Sequence, residues 1–317
     1  MPEYVHKDPE FADLVAIVSA RSGIHQSLIE KDYWIMHTLY SMKKQGLEFE
    51  LKGGTSLSKG FGLIHRFSED IDIHILSNFG LDTEGKEDSR KVREARRNFY
   101  DLLAQNLFID GIEDIKRDFS FDDKIKYRSG GIRLNYTSVT SGIEGLKNGI
   151  LLEAGFDQTA PNIPCNISSW IWDYLVSVNA ADNYINNNAI EVCCYHPGYT
   201  LIEKLQTIIR KYRIWKKNPD MGSMNFMRQY YDVYCLLNNR EVLQFMVTED
   251  YAKHKKVRIK GEDGAIPLSV HPALLLDDNK VVQEFMNMYR KTASLYYKGQ
   301  PDFREMISRI RDCMNML

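Results

Sequence analysis

Ser68-Glu69-Asp70-Ile71-Asp72-Ile73 alternates carboxylates with isoleucines at the two-residue period of a β-strand, and the pattern runs on to Leu76. That period sends Ile71 and Ile73 into a core and points Asp70 and Asp72 together out of the opposite face. Two carboxylates converging on one spot suit a hard cation: Mg²⁺, with Mn²⁺ as its alternate, takes oxygen ligands. A pair of such ions about 3.5–4 Å apart can activate an attacking oxygen while neutralising a leaving pyrophosphate. A third carboxylate from a neighbouring strand would complete the site. Glu153, in the strand-like run Ile150-Leu151-Leu152-Glu153-Ala154-Gly155-Phe156, is the candidate.

Just upstream, a short strand at Phe49–Lys52 runs into Gly53-Gly54-Thr55-Ser56, and Ser56 to Gly62 reads as a short helix ended by glycine. Glycines between a strand and a helix let the backbone approach a phosphate, and the first free N–H groups of the helix point at it. The Ser56 hydroxyl adds a donor, and Lys59, three residues on, falls on the same side of the helix and adds charge. Loop and acid strand are thus poised around one triphosphate.

Further out, helical patterns cover Pro9–Ala20 and Gln26–Lys44, the second with Ile29, Tyr33, Ile35 and Leu39 near one apolar side. Ser89–Phe108 is a charged amphipathic helix, and strands are expected near Ile112–Asp118, Gly131–Ser138, Gly149–Phe156 and Ala189–Tyr195. His196-Pro197-Gly198 breaks the pattern, and Tyr199–Lys217, Ser223–Leu237, Val281–Tyr289 and Pro301–Met316 read as helices. The order predicts an α+β fold: a helical preface over 1–45, a mixed sheet with flanking helices over 46–196, and a C-terminal helical bundle over 197–317.

The chain has 317 residues, 44% of them hydrophobic, enough for a substantial core and about two domains. No run approaches the roughly 18 apolar residues that span a bilayer, and Met1–Glu10 lacks the apolar core of a signal peptide, so a soluble cytoplasmic protein with no membrane partner is expected. Five cysteines, odd in number and without a C-x-x-C spacing, read as reduced thiols. The formal charge of −2 conceals an asymmetry: residues 201–260 hold 13 Lys/Arg against 6 Asp/Glu, a net of +7, which leaves −9 elsewhere. A polyanion would be drawn to that region.

Glu203-Lys204-Leu205 opens the basic region, and Arg228-x-x-x-Asp232 places an i,i+4 pair on the next helix. Lys204 can supply a point charge to a phosphate. With Lys52-Gly-Gly-Thr-Ser-Leu-Ser-Lys59, Arg66-Phe-Ser-Glu-Asp-Ile-Asp72 and Glu30-Lys31-Asp32-Tyr33, these motifs resemble those of the AbiEii/AbiGii nucleotidyltransferase toxins over about residues 26–240. The resemblance implies a DNA polymerase β-like nucleotidyltransferase core, a helical C-terminal domain, and a role as the toxin of a toxin–antitoxin or phage-defence pair with a cognate antitoxin. Carried over, Gly53, Gly54, Thr55 and Ser56 belong to the phosphate loop, Asp70 and Asp72 to the metal site, Lys204 to the triphosphate, and Asp232 to a catalytic or positioning role. Arg228 joins the nucleotide-binding set. Residues after about 240 match no motif.

Plainer readings stand beside these. Asp-Ile-Asp-Ile alone is an ordinary half-exposed strand, and Arg228 and Asp232 can simply pair with each other. Lys253-His-Lys-Lys-Val-Arg-Ile-Lys260 either grips RNA phosphates or is a solvated face. His74 continues the acid face by the same period, Tyr33 and Trp34 read as core, and Glu30 and Asp32 as braces of the active-site loop. The function expected is transfer of a nucleotide from an NTP to RNA, for instance a tRNA end, or to a protein acceptor. Competing readings are a non-catalytic nucleotide- or RNA-binding module and a metal-dependent nuclease, which has no need of a Gly-Gly-x-Ser loop before the acids.

Overall fold

The acid–isoleucine alternation forms a strand at Asp70–Ile75, with Ile71 and Ile73 fully buried and Asp70 and Asp72 half-buried. Each buried isoleucine contributes about 1.5–3 kcal/mol, so the strand is anchored by one face and leaves its acids on the other. A computed structural model describes residues 1–77, 79–84, 89–157, 160–219 and 226–317. The chain divides into two units, Met1–Phe61 with Phe67–Tyr195, and Gly62–Arg66 with His196–Leu317.

The first unit contains, in chain order, α1 (Phe11–Ser22), α2 (Gln26–Lys44), β1 (Phe49–Lys52), α3 (Gly53–Thr55), β2 (Asp70–Ile75), α4 (Arg90–Asn106), β3 (Asp114–Asp118), β4 (Ser129–Asn135), β5 (Ile150–Gly155), β6 (Asn162–Ile167), α5 (Trp170–Ser177) and β7 (Ala189–Tyr195). The strands form a seven-stranded mixed sheet in the order β3-β4-β5-β2-β1-β7-β6. β2 runs antiparallel to β1 and parallel to β5, so the acid strand lies at the centre. The α+β expectation holds. Strand β6 was not anticipated: Pro164 and the polar Asn162 and Asn166 mask it, and a proline without an N–H is tolerated because β6 is an edge strand. The expected helix from Ser56 instead begins at Gly53 and widens over Ser56–Gly60 into a π turn, closed by Phe61 N–H donating to the Ser56 carbonyl.

Helix α2 differs from an amphipathic surface helix. It is buried on every side from Ser27 to Leu39, including Glu30, Lys31 and Asp32. Three consecutive charges are tolerable inside only because each finds a partner, and those partners are loops of the site described below.

The second unit is helical: α6 (Pro197–Lys217), α7 (Met227–Leu237), α8 (Arg240–Phe245), α9 (Glu249–Arg258), α10 (Pro272–Leu275), α11 (Asn279–Arg290) and α12 (Phe303–Asp312). The expected start of α7 at Ser223 lies outside the described residues. His196 caps α6 by accepting from Gly198 N–H, with Pro197 in the first turn. Phe226, Tyr230, Phe285 and Phe303 interlock at the core, and the Tyr230 hydroxyl donates to the Ala273 carbonyl at 2.7 Å. The five-residue segment Gly62–Arg66 threads into this unit: the His65 N–H donates to the Tyr231 hydroxyl at 3.0 Å, and the Tyr297 hydroxyl to the Ile64 carbonyl at 3.1 Å. Among the described residues no helix is long and apolar enough to cross a membrane, and all five cysteines are free thiols.

Candidate active site

Register builds the site. Parallel pairing of β2 with β5 sets Asp72 opposite Glu153, and antiparallel pairing with β1 sets Lys52 opposite Asp72. Lys52, Asp72 and Glu153 therefore form one row across three strands, with Asp70 two positions along β2 on the same face. Burial, and then the neighbouring Asp72 and Asp70 carboxylates, push the Glu153 carboxyl up to about 7, against the opposing pull of Lys52 and Lys147. In the metal-free protein Glu153 should thus titrate near neutrality. Asp72→Asn removes the nearest like charge and should lower that value toward the ordinary carboxylate range, as followed by ¹³C NMR of labelled glutamate; a value unmoved by the substitution would contradict the pairing.

The Gly53–Ser56 residues are bound to the acid strand. Gly53 has φ +73°, and a Cβ there would collide with the Asp72 carboxylate, so only glycine lets the backbone lie against that acid. The Thr55 hydroxyl donates to the Asp70 carbonyl at 2.6 Å, and Gly54 and Thr55 are buried. Ser56 is fully buried, its hydroxyl beside the Cys194 thiol. Lys59 does not stand free over the loop: its ammonium lies 2.9 Å from Asp32 Oδ1 and over the Trp170 ring. Asp32 is wholly buried. Burial raises its carboxyl, Lys59 and the Trp170 N–H draw it back down, and the result is still above the ordinary value.

The Glu30-Lys31-Asp32 motif is a three-way brace. Glu30 accepts from the Ser138 and Thr140 hydroxyls, each at 2.7 Å, and from the Val139 N–H at 2.8 Å. Lys31 donates to the Lys147 carbonyl at 2.7 Å and lies 3.6 Å from Glu69, which in turn accepts the Lys147 N–H. Burial pulls the Lys31 ammonium down to about 8, while Glu69 and Asp70 hold it up. Lys147 is thereby placed with its ammonium 3.3 Å from Asp70 Oδ2. Sequence reading missed Lys147 and Lys52 as members of the site; Lys147 lies 77 residues from Asp70 in a loop without a local signal. His74, on the same face, is committed to Glu50 Oε2 at 2.7 Å.

Lys204, Arg228 and Asp232 belong to the second unit. Asp232 is fully buried and binds Arg66 through two hydrogen bonds of 2.6 Å and Lys204 at 2.9 Å. Burial pushes its carboxyl up, but the Arg66 and Lys204 charges prevail and hold it below the usual carboxylate value. Arg228 is buried one turn before Asp232 on α7. In the basic run, which forms much of α9, Lys253 pairs with Glu249, and His254 and Arg258 both reach Glu203. Lys255 donates to the Leu317 carbonyl. Much of its charge is therefore already engaged.

Among the described residues no three acidic, histidine or cysteine side chains are drawn together closely enough to chelate an ion as they stand. The donor chemistry nevertheless fits a hard cation: Asp70, Asp72 and Glu153 offer only oxygens from adjacent strands, and Asp70 Oδ1 is buried with no hydrogen-bond partner among the described residues. A divalent ion there would offset the like charge of the three carboxylates. A family model described as nucleotidyl transferase AbiEii toxin, type IV TA system, matches residues 34–309. A search of curated proteins found no match. The span takes in the second half of α2, the whole sheet and most of the helical unit, and the chain belongs to the AbiEii family of nucleotidyl transferase toxins.

Proposed function

We propose that the protein transfers a nucleoside monophosphate from an NTP to a hydroxyl of an RNA end or a protein side chain, with Mg²⁺ held by Asp70, Asp72 and Glu153, as the toxin of a toxin–antitoxin pair. The row Lys52–Asp72–Glu153, set beside a glycine that admits backbone against Asp72, is the observation that carries this reading. When bound, the cation supplies Lewis-acid polarisation of the phosphoryl oxygens and charge neutralisation for the leaving pyrophosphate.

The remaining work belongs to the chain. The Gly53–Ser56 backbone positions the triphosphate, and the α2 brace keeps loop and acid strand in register. The acceptor oxygen forms a bond to the α-phosphorus, the bond from that phosphorus to the bridging oxygen breaks, and pyrophosphate leaves. The acceptor proton passes to the carboxylate of Glu153, which stands opposite Asp72 on the neighbouring strand.

The test is pyrophosphate release with each NTP, cellular RNA or protein, and Mg²⁺. Release should require all three, stop with a chelator and resume with excess Mg²⁺. Release unaffected by the chelator would refute the metal assignment. Cleavage of RNA without NTP would favour a nuclease, and NTP binding without release would favour a binding module.

A further inference from the structure

The basic run of α9 holds charge that neither the active site nor a neighbouring acid takes up. Lys253 pairs with Glu249, and His254 and Arg258 pair with Glu203. Lys255 and Lys256 stand apart from these: Lys255 donates to the Leu317 carbonyl, and the exposed Lys256 has no partner among the described residues. With Ala252 and Ile259 they recur at i, i+3, i+4 and i+7, so the four residues share one face of the helix. That face is one wall of a cavity of about 440 Å³.

Ile266, Pro267 and Leu268 form a second wall, and Met314 and Leu317 a third. All lie within the second unit, and Met314 and Leu317 follow residue 309, where the family match ends. Among the described residues that line the cavity there is no aspartate, no glutamate and no aromatic ring. Burial draws the Lys255 ammonium below its ordinary value, with no carboxylate side chain to hold it up. Two cations beside an aliphatic surface, without an acid, favour an anion that carries an apolar body. An RNA strand fits less well: there is no ring on which a base could stack, and the other cations of α9 are already paired with carboxylates.

The chain itself displays the contact. Leu317 is buried, and its carbonyl oxygen accepts from the Lys255 ammonium and from the Tyr251 hydroxyl, the latter at 3.4 Å. An ammonium has three donors, so Lys255 keeps capacity for a second oxygen, and Lys256 stands one residue on.

We propose that this cavity binds a small aliphatic carboxylate, with its head on Lys255 and Lys256 and its chain along Ile259, Ile266 and Met314. The volume is that of a small-molecule site. The inference is independent of the nucleotidyltransferase reading, because none of these residues belongs to the candidate active site.

Calorimetry of the full chain with hexanoate, octanoate and decanoate tests it, with decylamine as the same body under the opposite charge. Affinity should rise about fourfold for each added CH₂, the gain expected of apolar burial. Decylamine should not bind at concentrations where decanoate saturates. Lys256→Gln should weaken decanoate about tenfold, and Ile266→Asp, which sets a carboxylate in the lining, should abolish its binding. Both positions are exposed, so the thermal melts of the two variants should match the wild type. Affinity independent of chain length, decylamine binding as tightly as decanoate, or unchanged affinity in both variants would overturn the proposal. So would a wild type that binds none of the three carboxylates. Binding of a synthetic acidic, leucine-rich peptide in their place, lost in Ile266→Asp, would make the cavity a protein-docking groove instead.

Discussion

Asp70→Asn and Asp72→Asn should each lower nucleotidyl transfer about 10³-fold or more while leaving the protein folded. In the proposed site the charge that each removes would be a ligand charge for a cation whose contribution is several kcal/mol, and each ~1.4 kcal/mol is a factor of ten in rate. Folding is spared because both side chains sit half-buried on the open face of β2, and the core burial comes from Ile71 and Ile73. Asp72→Asn even relieves like-charge repulsion on Glu153. Steady-state kinetics together with a thermal melt would check this. Turnover within tenfold of wild type would contradict the site, and loss of activity with a collapsed melt would mean that the substitution acts through folding. Growth inhibition on expression of the wild type should vanish in the same variants.

Asp232→Ala should destabilise the helical unit by about 3–5 kcal/mol, because it strands two buried cations, Arg66 and Lys204, that Asp232 neutralises. Asp232→Asn should cost less, since its carbonyl oxygen still accepts from Arg66. Burial alone would raise the Asp232 carboxyl, yet Arg66 and Lys204 hold it below its ordinary value. It therefore contributes stability that is complete above the ordinary carboxylate range and is lost only as pH falls through the depressed value. The gap between wild type and variant should be full at pH 7 and 5 and close only in stronger acid. Denaturant unfolding at several pH values measures this, and a loss below about 1 kcal/mol at pH 7 would contradict the cluster.

What could be read from sequence here was what local periodicity encodes. The two-residue alternation over 70–76 placed both acids on one face, and the apolar run around Glu153 marked the strand that adjoins them, since each pattern is complete within a few residues. Contacts that close over long separations left no such trace. Helical spacing linked Arg228 to Asp232, whereas the observed partners of Asp232 include Arg66, 166 residues away. The same-side argument set Lys59 on the phosphate, but the wholly buried Asp32 on α2 requires a cation and holds it. Lys31, 116 residues from the Lys147 carbonyl, gives no local sign of that partner in a helix read as having one apolar side. Its burial became evident only once every face of α2 was covered.

Nucleotidyl transfer breaks the bond between the α- and β-phosphates of the NTP. Parallel reactions with α-³²P- and γ-³²P-labelled NTP, scored for label on the acceptor and label in released pyrophosphate, test it directly. The structure predicts α-label on the acceptor, γ-label only in pyrophosphate, and neither with Asp72→Asn. γ-label on the acceptor would make the protein a kinase, and label on the acceptor from neither NTP would contradict nucleotidyl transfer.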